Sequence, residues 1–157
     1  MNKFSIDEMT KYLEEIFPQI RGKYIILKLE HSLSEVQLVA TEANLRPGNT
    51  ISGPTMFELA DIAFYLAVIS LPGSSTLALT TNVSINFLRK PEHSNLIASA
   101  KIKKSGRKLV AGDVEIFSEY QDYYQIFTML SLICLFVGTI LGDKKIPSQN
   151  WKGRYVN

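Results

Sequence analysis

Two carboxylates set into an otherwise apolar helical run are the side chains of this sequence best placed to do chemistry. Glu58 and Asp61 stand three apart within residues 56–71, where Met56, Phe57, Leu59, Ala60, Ala63, Phe64, Ala67, Val68 and Leu71 cover most of a helix's circumference. A spacing of three puts both on about the same side. Asp61 is flanked by Leu59, Ala60, Ile62, Ala63 and Phe64, so an inward-facing carboxylate there needs hydrogen-bond partners or a functional reason. Such a group can take a proton from water or attack a carbonyl carbon directly. The alternative is a helix-surface aspartate that is solvated or paired with a neighbouring lysine. Just upstream, Ser52-Gly53-Pro54 opens the helix. Its free backbone N–H groups lie at the positive end of the helix dipole and suit a carbonyl oxygen on which negative charge develops, and Gly53 allows close approach.

The elements that must position these residues follow from periodicity. Ser5 and Glu8 have capping-box spacing, and Ile6, Met9, Tyr12, Leu13, Ile16 and Phe17 recur at helical intervals until Pro18 stops the run. Apolar runs at 23–30 and 35–41, with His31, Ser32 and Ser34 between them, predict a hairpin. Pro47, Gly48, Asn49, Gly53 and Pro54 mark 44–54 as a shaped loop, and Pro72-Gly73 ends the long helix. Period two then takes over: Val83, Ile85 and Phe87 in one strand, Leu96 to Ile102 in the next, and Leu109, Ala111, Val114 and Ile116 in a third. The order predicts an α+β hotdog fold, an antiparallel sheet wrapped around one long central helix. Residues 1–157 read as a single domain, with an N-terminal helix at 1–19 and an atypical segment at 120–157.

Composition narrows the function classes. A net charge of +2 arises from basic pairs spread along the chain, Arg89-Lys90, Lys103-Lys104, Arg107-Lys108 and Lys144-Lys145 among them. A nucleic-acid binder would concentrate such charge on one patch, whereas a phosphorylated small molecule stays compatible. Cys134 is the single cysteine and sits in an apolar run, which suits a packing thiol and a reducing compartment. Residues 1–17 carry Asp7, Glu8, Glu14 and Glu15 with no apolar signal core, so a cytoplasmic location is expected. His31 and His93 lack partners at metal-ligand spacing, so no metal is expected. No Gly-x-Ser-x-Gly elbow occurs, and Trp151, Tyr155 and the other tyrosines read as packing residues. Residues 126–141 are almost wholly apolar. Buried strand is favoured over a membrane helix, and an altered tail is a third reading.

Three segments carry a family resemblance. They are Arg46-Pro-Gly-Asn-Thr-Ile-Ser-Gly-Pro-Thr-Met-Phe-Glu-Leu-Ala-Asp61, then Thr80-Thr-Asn-Val-Ser-Ile-Asn-Phe-Leu-Arg-Lys-Pro91, then Gly106-Arg-Lys-Leu-Val110. In this order they resemble the PaaI-like acyl-CoA thioesterases of the hotdog superfamily, over roughly residues 20 to 119. The resemblance implies hydrolysis of acyl-coenzyme A without a cofactor, by a homodimer or homotetramer with its sites at the subunit interface. It assigns Asp61 as general base or nucleophile, Gly53 to the oxyanion hole and Thr80 to a hydroxyl near the attacking water. Ser52, Asn49 and Pro54 would line the substrate, and Arg89, Lys90, Arg107 and Lys108 would hold the phosphates of coenzyme A or simply keep a sheet edge soluble. Two departures stand out: Ser52-Gly53-Pro54 replaces a histidine followed by two glycines, and Arg46 replaces a loop asparagine. The alternative is a non-catalytic acyl-CoA-binding or interaction module.

Overall fold

The computed structural model describes residues 5–74, 76–120 and 123–136, with side chains described as far as Ser118. Helix α1 (Ile6–Ile16) begins at the expected capping box: Ser5 Oγ accepts from Glu8 N at 3.2 Å, and a Glu8 carboxylate oxygen accepts from Ser5 N at 2.8 Å. These bonds, the backbone one foremost, hold the Glu8 carboxyl below the usual carboxylate range. Met9 and Leu13 drive α1 into the core. A short 3-10 turn (Pro18–Ile20) follows, then strands β1 (Tyr24–Glu30) and β2 (Leu33–Leu38). The hairpin is tighter than its sequence suggests. Ser34 belongs to β2, faces inward beside Val36 and Leu38, and donates its buried hydroxyl to the Ala63 carbonyl. A polar residue that signals a turn is here a satisfied core residue.

Residues 41–52 are built as a small framework. A 3-10 turn (Glu42–Asn44) leads to β3 (Leu45–Arg46) and β4 (Thr50–Ile51), whose connection uses positive φ at Gly48 (95°) and Asn49 (55°). Asparagine tolerates that region better than most residues. Helix α2 (Gly53–Ile69) follows, then β5 (Ala78–Phe87), β6 (Leu96–Ser105), β7 (Leu109–Tyr120) and β8 (Tyr123–Phe136). The strands form one six-stranded sheet in the order β1-β2-β6-β7-β8-β5, with every pairing antiparallel.

The sheet wraps α2, which lies against all six strands. Leu59, Ala60, Ala63, Phe64, Leu66, Ala67 and Val68 have no exposed surface, so the helix is apolar nearly all round because it is enclosed nearly all round. One close approach depends on a glycine. A Cβ at Gly112 would meet the Lys101 carbonyl oxygen and, at 2.6 Å, the ring of the fully buried Phe64.

The apolar C-terminal run is strand as far as Phe136, paired to β7 on one side and β5 on the other. No helix among the described residues is long and apolar enough to cross a membrane. The expectations for Trp151, Tyr155, the Cys134 thiol and the rest of the tail lie outside the described residues and side chains.

Candidate active site

Asp61 is half-buried on α2, and the Thr80 hydroxyl donates to its Oδ1 at 2.8 Å. Strand parity explains how Thr80 reaches it. Val83 and Ile85 pack toward the core, and simple alternation carried backward would turn Thr81 toward α2 in place of Thr80. The register shifts between Thr80 and Asn82, so Thr81 is an extra, bulged residue. The bulge lets Ala78 and Thr80 face inward upstream of it while Val83 and Ile85 face inward downstream. Glu58, one turn before Asp61, lines the same cavity, of about 720 Å3. Beside Glu58 lies the buried Tyr24 hydroxyl, which makes no hydrogen bond of good geometry among the described residues. Burial first, and the Glu58 charge second, push the Tyr24 phenol well above its ordinary range.

The start of α2 offers a narrower anion site than the sequence suggests. Ser52 caps the helix, its hydroxyl accepting from Thr55 N at 3.3 Å and lying 2.9 Å from Thr55 Oγ1. Pro54 has no N–H. The Met56 amide donates to the Ser52 carbonyl at 3.2 Å. Among the described residues, the Gly53 N–H is the first-turn donor left for a ligand, consistent with its place at the first helical position. The tip of the Phe87 ring lies 3.3 Å from where a Gly53 Cβ would stand, so a side chain there would press on that ring.

Around Gly53 the structure gathers Arg46, Phe87, Arg89 and Lys90 in a cleft of about 330 Å3. A neighbouring cleft of about 440 Å3 joins Asn49 to Lys90, Glu92 and His93. Arg46 donates through Nε to Thr50 Oγ1 at 2.9 Å, which fixes its stem across the β3–β4 turn. The sequence marked Arg46 only as a departure, because no periodic or motif signal points from it to Gly53. Arg107 and Lys108 are not part of this cluster. They occupy the exposed β6–β7 turn, level with the start of β5, since Leu109 and Leu79 both pair with Leu135. Arg89 and Lys90 follow the other end of β5, roughly 30 Å away at 3.3 Å per residue.

Asp61 and Gly53 are also apart. Eight residues of continuous helix separate them, a rise of roughly 12 Å. Within one chain, a single carbonyl therefore cannot touch both Asp61 and the Gly53 amide.

A family model described as "Thioesterase superfamily" matches residues 48–123. Two relatives named "Putative esterase" match in sequence. The one from Archaeoglobus fulgidus is 33% identical over 92 residues, covering 58% of each chain, so the match spans under two thirds of that relative's length. The one from Deinococcus radiodurans is 32% identical over 120 residues, covering 76% of this chain and 75% of the relative. Among solved structures, a "putative thioesterase" from Silicibacter sp. TM1040 is 39% identical, covers 86% of this chain and 93% of its own, and superposes with a TM-score of 0.77. The PaaI protein of E. coli, at 21% identity, shares the fold with a TM-score of 0.72, covering 85% of this chain and 97% of its own.

Proposed function

Because this chain belongs to the thioesterase superfamily and has the hotdog fold of its PaaI-like members, we propose that it hydrolyses acyl-coenzyme A thioesters with Asp61 as the reacting carboxylate. The observation that carries the reading is the Thr80–Asp61 hydrogen bond at the mouth of an apolar cavity. Thr80 occupies Oδ1 and fixes the plane of the carboxylate, leaving Oδ2 to act. As general base, Oδ2 takes a proton from water while the water oxygen bonds to the thioester carbon. As nucleophile, it bonds to that carbon itself, and water then cleaves the acyl–aspartyl anhydride. In both routes the C–S bond breaks, the coenzyme A sulfur leaves as thiolate and is protonated, and the acyl group leaves as a free acid.

The oxyanion donor must come from another copy. Among the described residues β5 lies at the edge of the sheet; Leu79, 58% exposed, and Phe87, 53% exposed, lie along it, and Leu77, also 58% exposed, just precedes it. Two copies paired antiparallel through β5 bring the end carrying Thr80 in one protomer toward the end carrying Phe87 in the other. The partner subunit's Gly53 then approaches Asp61. The same step brings the partner's Arg89 toward the end that carries Arg107 and Lys108. Basic groups about 30 Å apart in one chain thus converge where a nucleotide's phosphates would lie.

Thiol release from a panel of acyl-coenzyme A esters tests the reading. Asp61→Asn should lower kcat by at least about 100-fold with the fold intact, in line with loss of a general base or nucleophile. Turnover unchanged by that substitution would overturn it. Replacement of the family's histidine by Ser52, whose hydroxyl is used as a cap, favours one other reading, an acyl-CoA-binding module. That reading requires tight binding with no thiol released.

A further inference from the structure

The cavity at Asp61 does not end with α2 and β5. Its remaining wall is the N-terminal helix, through Tyr12, Leu13, Ile16 and Phe17. α1 lies outside the segment matched by the superfamily model, residues 48–123, so neither that match nor the catalytic pair accounts for its position. We propose that α1 is the far wall of the acyl slot and that Phe17, Ile16 and Tyr65 measure the length of a hydrocarbon acyl chain. The inference rests on the thioesterase reading above and adds the substrate class.

Three observations carry it. Tyr65 follows Asp61 by four residues, so it lies one turn further along the same helix face, and both line the slot. A chain that starts at the reacting carboxylate and runs along that face therefore meets Tyr65. The Phe17 ring stands edge-on to Tyr65, with centroids 6.0 Å apart, and lines the slot beside it. Phe17 and Ile16 keep 38% and 39% of their surface exposed although α1 is otherwise docked, which leaves apolar surface for a ligand to cover.

The wall is rigid. Met9 and Leu13 anchor α1 in the core, and the Arg21 guanidinium donates to the Glu14 carbonyl at 3.3 Å beyond the helix end. The Tyr65 hydroxyl donates to the Thr76 carbonyl at 3.0 Å, tying the ring to the segment that leads into β5. A ring held from two sides acts as a stop. Asp61, Glu58 and Thr80 supply polar groups at the catalytic end and Tyr12 and Gln19 supply them on the α1 side, but Leu13, Ile16, Phe17, Ile62, Leu77 and Leu79 make most of the wall apolar, which suits a hydrocarbon acyl group.

The test uses the full chain and straight-chain acyl-coenzyme A esters of increasing length. Phe17→Ala opens the stop, and Ile16→Trp fills the slot from a side chain that is not buried. With Phe17→Ala, the ratio of kcat/KM for long over short chains should rise about fourfold for each methylene newly covered. With Ile16→Trp the ratio should fall below that of the unaltered chain. A ratio unchanged in both variants, with thermal melting showing intact folds, overturns the wall, as does a change of oligomeric state without a change of ratio. Failure of the parent reading looks different: no ester is hydrolysed even by the unaltered chain. The wall is then judged by calorimetric binding of S-alkyl-coenzyme A thioethers, where affinity must rise with chain length up to a limit that Phe17→Ala extends.

Discussion

The Thr80 hydroxyl supplies Asp61 with a neutral donor, and that bond decides how sharply the carboxylate is aimed. Removing it with the near-isosteric Thr80→Val should lower kcat/KM by roughly 10- to 100-fold, the value of a hydrogen bond to a charged group expressed as a rate. Because Thr80 is exposed, stability should change by less than about 0.5 kcal/mol. Thr80→Ser should restore most of the rate, and steady-state kinetics beside thermal melts check all three outcomes. A valine variant of full activity would show that the bond holds the fold and not the chemistry. At this scale the sequence was legible for the placing of Glu58 and Asp61 on one side of α2, where both line the cavity, while catalytic roles for Asp61 and Gly53 came from the family resemblance. It was not legible where a side chain's task is set by its neighbours. Ser52 looks like a substrate contact and spends its hydroxyl on Thr55 N, Asn49 looks like a ligand and adopts the left-handed turn conformation, and Arg46 reaches the Gly53 cleft from a two-residue strand that has no pattern of its own.

The helices and sheet followed from periodicity, and the places where periodicity misleads are its irregularities. β5 alternates cleanly from Val83 onward, yet Thr80, whose hydroxyl donates to Asp61, sits in the opposite phase, upstream of the Thr81 bulge. No pattern of apolar residues reveals an inserted residue whose neighbours on both sides are polar. Deleting Thr81 tests what the bulge does. In a regular strand that keeps Val83 and Ile85 inward, Thr80 then stands two places before Val83 and still faces α2, because inward positions recur at every second residue. The deletion should therefore preserve the sheet, as read by far-ultraviolet circular dichroism, and cost less activity than Thr80→Val. Activity lost as fully as in Thr80→Val would mean that the bulge itself, and not the phase of the strand, aims Thr80. β8 shows the complementary case. The apolar run at 126–141 comes close to the length of a membrane helix, but as far as Phe136 it is strand paired between β7 and β5, and only tertiary pairing distinguishes the two.

At the scale of the molecule, the separation of Asp61 from Gly53 along one helix makes the proposed hydrolase an interface enzyme, and this has a consequence that no single-chain site shares. Each active site would take Asp61 from one subunit and the Gly53 amide from the other. Asp61→Asn removes the first, and Gly53→Val obstructs the second by driving a side chain into the Phe87 ring, 3.3 Å from the Cβ position. Each variant alone should be nearly inactive. When the two are mixed and allowed to exchange subunits, half the dimers are hybrids, and one of the two sites in a hybrid receives both defects while the other receives neither. Activity should then return to about a quarter of that of the unaltered protein, on a time scale set by subunit exchange, with the dimer mass unchanged by light scattering. Two inactive variants that stay inactive after exchange would place Asp61 and its oxyanion donor in the same chain, which the straight run of α2 does not allow, or would remove Gly53 from the chemistry altogether.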